Sequence, residues 1–151
     1  MLSAQDLTGA AAQADMIEIE ADRLDVNTQT GEALFQGNVK AHKDTISLTS
    51  STLSVTYNRT TNKVSRLIAR GEVTILWEDK EAFCQEVVYD LDSQTMELSG
   101  DVLITRGQEK LSGQKVTIDM ASDTQTVEGQ GGRVKILVNT DQESGILQWE
   151  N

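Results

Sequence analysis

A chain of 151 residues suits one domain with a sizeable core. Its 24 acidic and 13 basic residues give a formal net charge of −11, which opposes binding to a nucleic-acid backbone or to an anionic membrane, because both draw on clustered Lys and Arg. With one cysteine, Cys84, and one histidine, His42, no internal disulfide and no ordinary zinc site can be assembled; no metal or cofactor is expected.

Residues 1–15 lack a periodic apolar face and are expected to be a flexible leader. Met1-Leu2-Ser3-Ala4-Gln5-Asp6 has neither the basic region nor the apolar run of a signal peptide, so an exported protein would have lost its leader already. No stretch approaches the roughly 20 apolar residues of a membrane helix.

From Met16 onward the dominant period is two. Ile17, Ile19, Phe35, Val39, Ala41, Leu53, Val55, Tyr57, Leu67, Val73, Ile75, Trp77, Val87 and Tyr89 share odd parity, with polar residues such as Glu18, Asn38, Lys40, Ser54 and Thr74 between them. Leu98, Val102, Val116, Ile118, Val134 and Ile136 extend the series. One buried and one wet face per strand predicts antiparallel sheet.

A repeat lies over this alternation. Gly37-Asn38-Val39, Gly71-Glu72-Val73, Gly100-Asp101-Val102 and Gly132-Arg133-Val134 recur at spacings of 34, 29 and 32 residues, each after a strand and a turn-like linker. A glycine at an inward position of a long strand marks a bulge or bend. Gly37, Gly71, Gly100 and Gly132 are therefore expected to fold long strands at one height. The predicted fold is all-β: a bent antiparallel β-jelly-roll, V-shaped, with two facing sheets and about sixteen short strands from four repeats of about 30 residues. Eight strands per wall at roughly 4.8 Å each give a trough about 38 Å long. The domain is expected over 16–138, and 139–151 as a tail, either a last strand or a loose end that blunts the edge.

Nothing selects an enzyme. Cys84 is expected inside and His42 outside, which separates the one conceivable nucleophile pair. Asp22, Asp25, Asp90, Asp92 and Asp119 adjoin turns, where Asp bonds nearby N–H groups. Gly129-Gln130-Gly131-Gly132 lacks the Lys-Ser/Thr and helix of a phosphate loop. The inward residues are more informative. Ile17, Ile19, Phe35, Val55, Ile75, Trp77, Tyr89, Met96, Ile104 and Met120 are expected to line the trough, as core or as ligand-binding wall. Aromatic residues are 4% of the chain, so the interior is mainly aliphatic and suits acyl chains better than sugars or bases.

Ile17-Glu18-Ile19-Glu20-Ala21-Asp22, Gly31-Glu32-Ala33-Leu34-Phe35-Gln36-Gly37-Asn38-Val39, Ala69-Arg70-Gly71-Glu72-Val73, Leu98-Ser99-Gly100-Asp101-Val102 and Leu111-Ser112-Gly113-Gln114-Lys115-Val116 together resemble the OstA-like family over about residues 16–138. The resemblance implies a periplasmic, non-enzymatic protein that shields lipopolysaccharide acyl chains between the inner and outer membranes during outer-membrane assembly. It implies LptC-like and LptD-like β-jelly-roll domains as partners. By the same resemblance Ile17 and Ile19 occupy lipid-contacting first-strand positions and Tyr89 a ligand-associated aromatic position; either Ile75 or Trp77 takes the aromatic position after Gly71. The open edges of a strand stack would also allow an end-to-end homo-oligomer. Two other readings stay open: a self-assembling structural scaffold, and an LptC-like or LptD-like domain of a longer chain.

Overall fold

The computed structural model describes residues 16–141 and 145–147; the expected leader 1–15 lies outside them. Among the described residues ten strands are formed: β1 (Glu18–Glu20), β2 (Arg23–Asn27), β3 (Glu32–Lys43), β4 (Ile46–Asn58), β5 (Lys63–Trp77), β6 (Lys80–Asp90), β7 (Thr95–Arg106), β8 (Glu109–Asp119), β9 (Thr124–Glu128) and β10 (Lys135–Leu137). They pair antiparallel in one open sheet. β3 to β8 follow one another, β1 and β2 each cover one half of β3, and β9 and β10 each cover one half of β8.

The strand count is ten rather than about sixteen, and the two expected sheets are two halves of one hydrogen-bonded sheet. The reason is local. β3, β5 and β7 run unbroken through Gly37, Gly71 and Gly100, each of which takes a left-handed conformation (φ 84°, 88° and 87°) together with the residue after it, Asn38, Glu72 or Asp101. The pairing register shifts by one residue there, as between Gln36 and Val39 of β3 and between Ser99 and Val102 of β7. A bulge of this kind bends a strand without ending it. A neighbouring segment lies over each glycine, the Asp22 bend between β1 and β2 over Gly37 and the adjacent strand over the other two: a Cβ on Gly71 would stand 2.7 Å from Ser51 Cβ, and one on Gly100 would stand 2.7 Å from Gln85 Cβ. Gly132 differs from the other three. It lies in no strand, in the turn between β9 and β10, where its N–H donates to the Gly129 carbonyl at 2.9 Å.

The bulges also correct the single parity. The glycine strand takes one residue more than its neighbour, so β3, β5 and β7 keep their parity while β4, β6 and β8 change theirs. The buried positions of β6 are Lys80, Ala82 and Cys84, then Val87, and those of β8 are Glu109, Leu111 and Gly113, then Val116 and Ile118.

Two kinds of turn close the stack. At one end Asn27, Asn58, Asp90 and Asp119 finish a strand, and each Oδ1 accepts two backbone N–H bonds from the following turn, as from Asp92 at 3.0 Å and Ser93 at 3.1 Å. Asx caps of this sort make a turn self-sufficient in hydrogen bonds. At the other end two-residue connections join β3 to β4, β5 to β6 and β7 to β8, with Asp44, Glu78 and Gly107 left-handed, as tight hairpins require. Between the two halves lies one core that includes Val39, Leu53, Ile75, Val87, Leu98, Val102, Ile104, Leu111 and Val116. Burying a side chain of this size contributes roughly 1.5–3 kcal/mol.

Candidate functional site

The core does not fill the space between the halves evenly. Near β1 a cavity of about 120 Å³ separates them. From the half next to the tight hairpins come Ile17, Ile19, Ala41, Ile46, Leu48, Ile75 and Trp77; from the half next to the Asx-capped turns come Leu53, Leu67, Ala69, Val87, Tyr89 and Met96. Its wall is almost wholly apolar, and the basic residues on it are His42 and Lys43.

Each wall element has a local cause. β1 is held to β3 in the register Ile19 to Ala41, which turns Ile19 inward and Glu18 and Glu20 outward. Lys43 pairs with Ile46 at the start of the hairpin, so its stem shares the inward face while it is itself exposed. His42 is exposed on the outer face, where Nδ1 lies 3.0 Å from Ser47 Oγ. A space of this size is smaller than the about 300–1,000 Å³ of a typical small-molecule pocket. Its volume matches a short run of methylenes, and Ile17 and Ile19 stand half-exposed beside it.

The structure sorts the sequence-predicted wall. Ile17, Ile19, Ile75, Trp77, Tyr89 and Met96 meet at the cavity. Val55 and Ile104 are ordinary core, 8% and 0% exposed. Phe35 and Met120 are half-buried against that core, away from the cavity. Ile46 and Leu48 were missed because they are even-numbered in what looked like an odd series. The local pattern Ile46-Ser47-Leu48-Thr49 was the available signal. Cys84 sits in the core, and burial pushes its thiol up to about 11. Among the described residues no group of three or more His, Cys, Asp or Glu is placed to hold a metal.

Three similarities bear on this site. The model of the family described as LptA/(LptD N-terminal domain) LPS transport protein matches residues 18–125. An uncharacterized protein of Rhizobium meliloti (strain 1021) is 26% identical over 131 residues, covering 82% of this chain and 70% of that protein. The crystal structure of LptH, the LptA homologous periplasmic component of the lipopolysaccharide transport device of Pseudomonas aeruginosa, superposes with a TM-score of 0.72. It shares 13% identity over 84% of this chain and 97% of LptH, a likeness of fold.

Proposed function

The chain belongs to the LptA/(LptD N-terminal domain) LPS transport protein family, and on that premise we propose that it is a periplasmic carrier that takes acyl chains of lipopolysaccharide into the cavity between its sheet halves. The observation that carries this reading is an apolar cavity, open at one end of the stack, with Lys43 at its rim. Each methylene moved from water into it gains about 0.8 kcal/mol, while Lys43 stands where an anionic head group would remain in water. Among the described residues no helix is long and apolar enough to cross a membrane.

The sheet's ends support a bridging role. β1 with β2, and β9 with β10, leave strand edges at which LptC-like or LptD-like domains, or a second copy, would extend the sheet by strand addition. Photo-crosslinkers at Ile19, Ile75 and Tyr89 test carriage. Lipopolysaccharide adducts at these positions are expected, and adducts at none of the three, or at the outward Glu18 alone, overturn it. Light scattering over a concentration series tests end-to-end joining, which a strict monomer at high concentration rejects.

A further inference from the structure

The mouth opposite the cavity is closed by the chain itself. Ile146 is 0% exposed and belongs to the same core as Leu111, Val116 and Ile118. Yet Gly145–Leu147 is in no strand. An aliphatic side chain buried there without a ladder to hold it needs other support, and two hydrogen bonds and one close packing contact are present. The Asn139 N–H donates to Glu109 Oε2 at 3.0 Å. The Arg106 guanidinium, bonded to Asp79 at 2.8 Å, lies against Gly145, where a Cβ would stand 3.0 Å from Nε. The Gln125 side-chain amide donates to the Leu147 carbonyl.

Gln125 is the telling residue. In β9 it pairs with Ile118, and so stands at an inward position where alternation calls for an apolar side chain. Its amide makes sense there as a partner for the tail backbone. At the other end of the stack, among the described residues, the inward positions Leu24 and Val26 of β2 have no such cover and are 50% and 54% exposed.

We propose that Gly145–Leu147 is an intramolecular cork: Ile146 occupies an aliphatic-chain subsite at the C-terminal mouth, which the tail vacates when hydrocarbon runs the length of the trough. This rests on the carriage reading and assigns it a second subsite and a gate. Because the segment is anchored by side chains rather than by strand pairing, its departure leaves every strand pair intact. The ligand class follows from the occupant: a saturated chain replaces an isoleucine side chain in kind.

The test uses the full chain, a diazirine-bearing palmitate and adduct mapping by mass spectrometry, with palmitate and octanoate affinities measured beside it. In the unsubstituted protein adducts are expected on the cavity wall, at Ile46, Leu48 or Tyr89. Ile146→Ala is expected to add adducts at Leu111, Ile118 or Val127 and to tighten palmitate, but not octanoate, roughly tenfold, because a larger fraction of molecules is open. Gln125→Ala, which leaves the core side chains in place, should shift both readouts the same way by less. Identical adduct maps and affinities in all three proteins, with strand content unchanged by circular dichroism, would overturn the cork and leave carriage standing. No adducts in any of them would overturn both.

Discussion

The two mouths of the trough are built from the same strand geometry and finished in opposite ways. At the β1–β2 end, among the described residues, the inward side chains of β2 are half exposed, Leu24 50% and Val26 54%. At the β9–β10 end a stretch of tail buries Ile146 and meets Gln125, Arg106 and Glu109. A stack of strands cannot close its own ends; among the described residues the β9–β10 end is covered by added chain and the β1–β2 end is not. The difference teaches that exposed apolar residues at the first mouth are unfinished core rather than surface noise.

This asymmetry breaks most readily in stability. Ile146→Ala is expected to cost about 2–4 kcal/mol in urea unfolding, the range for a fully buried aliphatic truncation. Leu24→Ala, chemically similar and half exposed, should stay within about 0.5 kcal/mol. Equal costs would mean that the tail contributes no more to the core than an uncovered edge does.

A second comparison sets a bulge glycine against a hairpin glycine. Gly100→Ala combines a left-handed φ of 87° with a Cβ only 2.7 Å from Gln85 Cβ, and is expected to cost about 3 kcal/mol. Gly107→Ala, left-handed at 60° but with nothing within 4 Å, should cost about 1 kcal/mol. Thermal unfolding of the two variants measures the difference. It isolates the close approach that makes bends possible along the whole trough, open end and closed end alike.

A smaller effect belongs to the open mouth alone. Ile19→Ala removes part of the cavity wall at a half-exposed site, so its cost in stability is expected below about 1 kcal/mol. Its cost in acyl-chain affinity is of similar size, roughly three- to tenfold. Titration with a fluorescent fatty acid reads it. A stability loss without an affinity loss would turn Ile19 from wall into plain core.

The sequence carried the strands, the bends at Gly37, Gly71 and Gly100, and six of the cavity residues, because period-two alternation and inward glycines are local signals. It could not carry the parity changes in β4 and β6, since these follow from a bulge in the neighbouring strand. Ile46 and Leu48 were lost for that reason. Gly132 repeats the motif of the other three in a turn, because β9 and β10 are separate short strands where the inner strands are continuous. The sequence leaves the tail open between a last strand and a loose end; of its described part, Gly145–Leu147 is in no strand, and the residues the tail meets, Arg106, Glu109 and Gln125, lie 21 to 40 residues before Ile146 along the chain.

The smallest expected signal comes from the middle of the stack, between the mouths. Cys84 pairs with Val73 and is 3% exposed. Burial raises its thiol from 9.0 to about 11, so at pH 8 the folded protein holds about a hundredfold less thiolate than the unfolded chain. The folded state binds this proton more tightly, and its contribution to stability is therefore whole below about pH 9 and lost as pH rises toward about 11. Alkylation by iodoacetamide at pH 8 should be correspondingly slow and should climb through that window. If the tail's departure is confined to its end, Ile146→Ala raises the rate by no more than its loss of global stability accounts for. A rate that rises further would show the middle loosening with the cork, and would turn a contrast between two mouths into a property of the whole sheet.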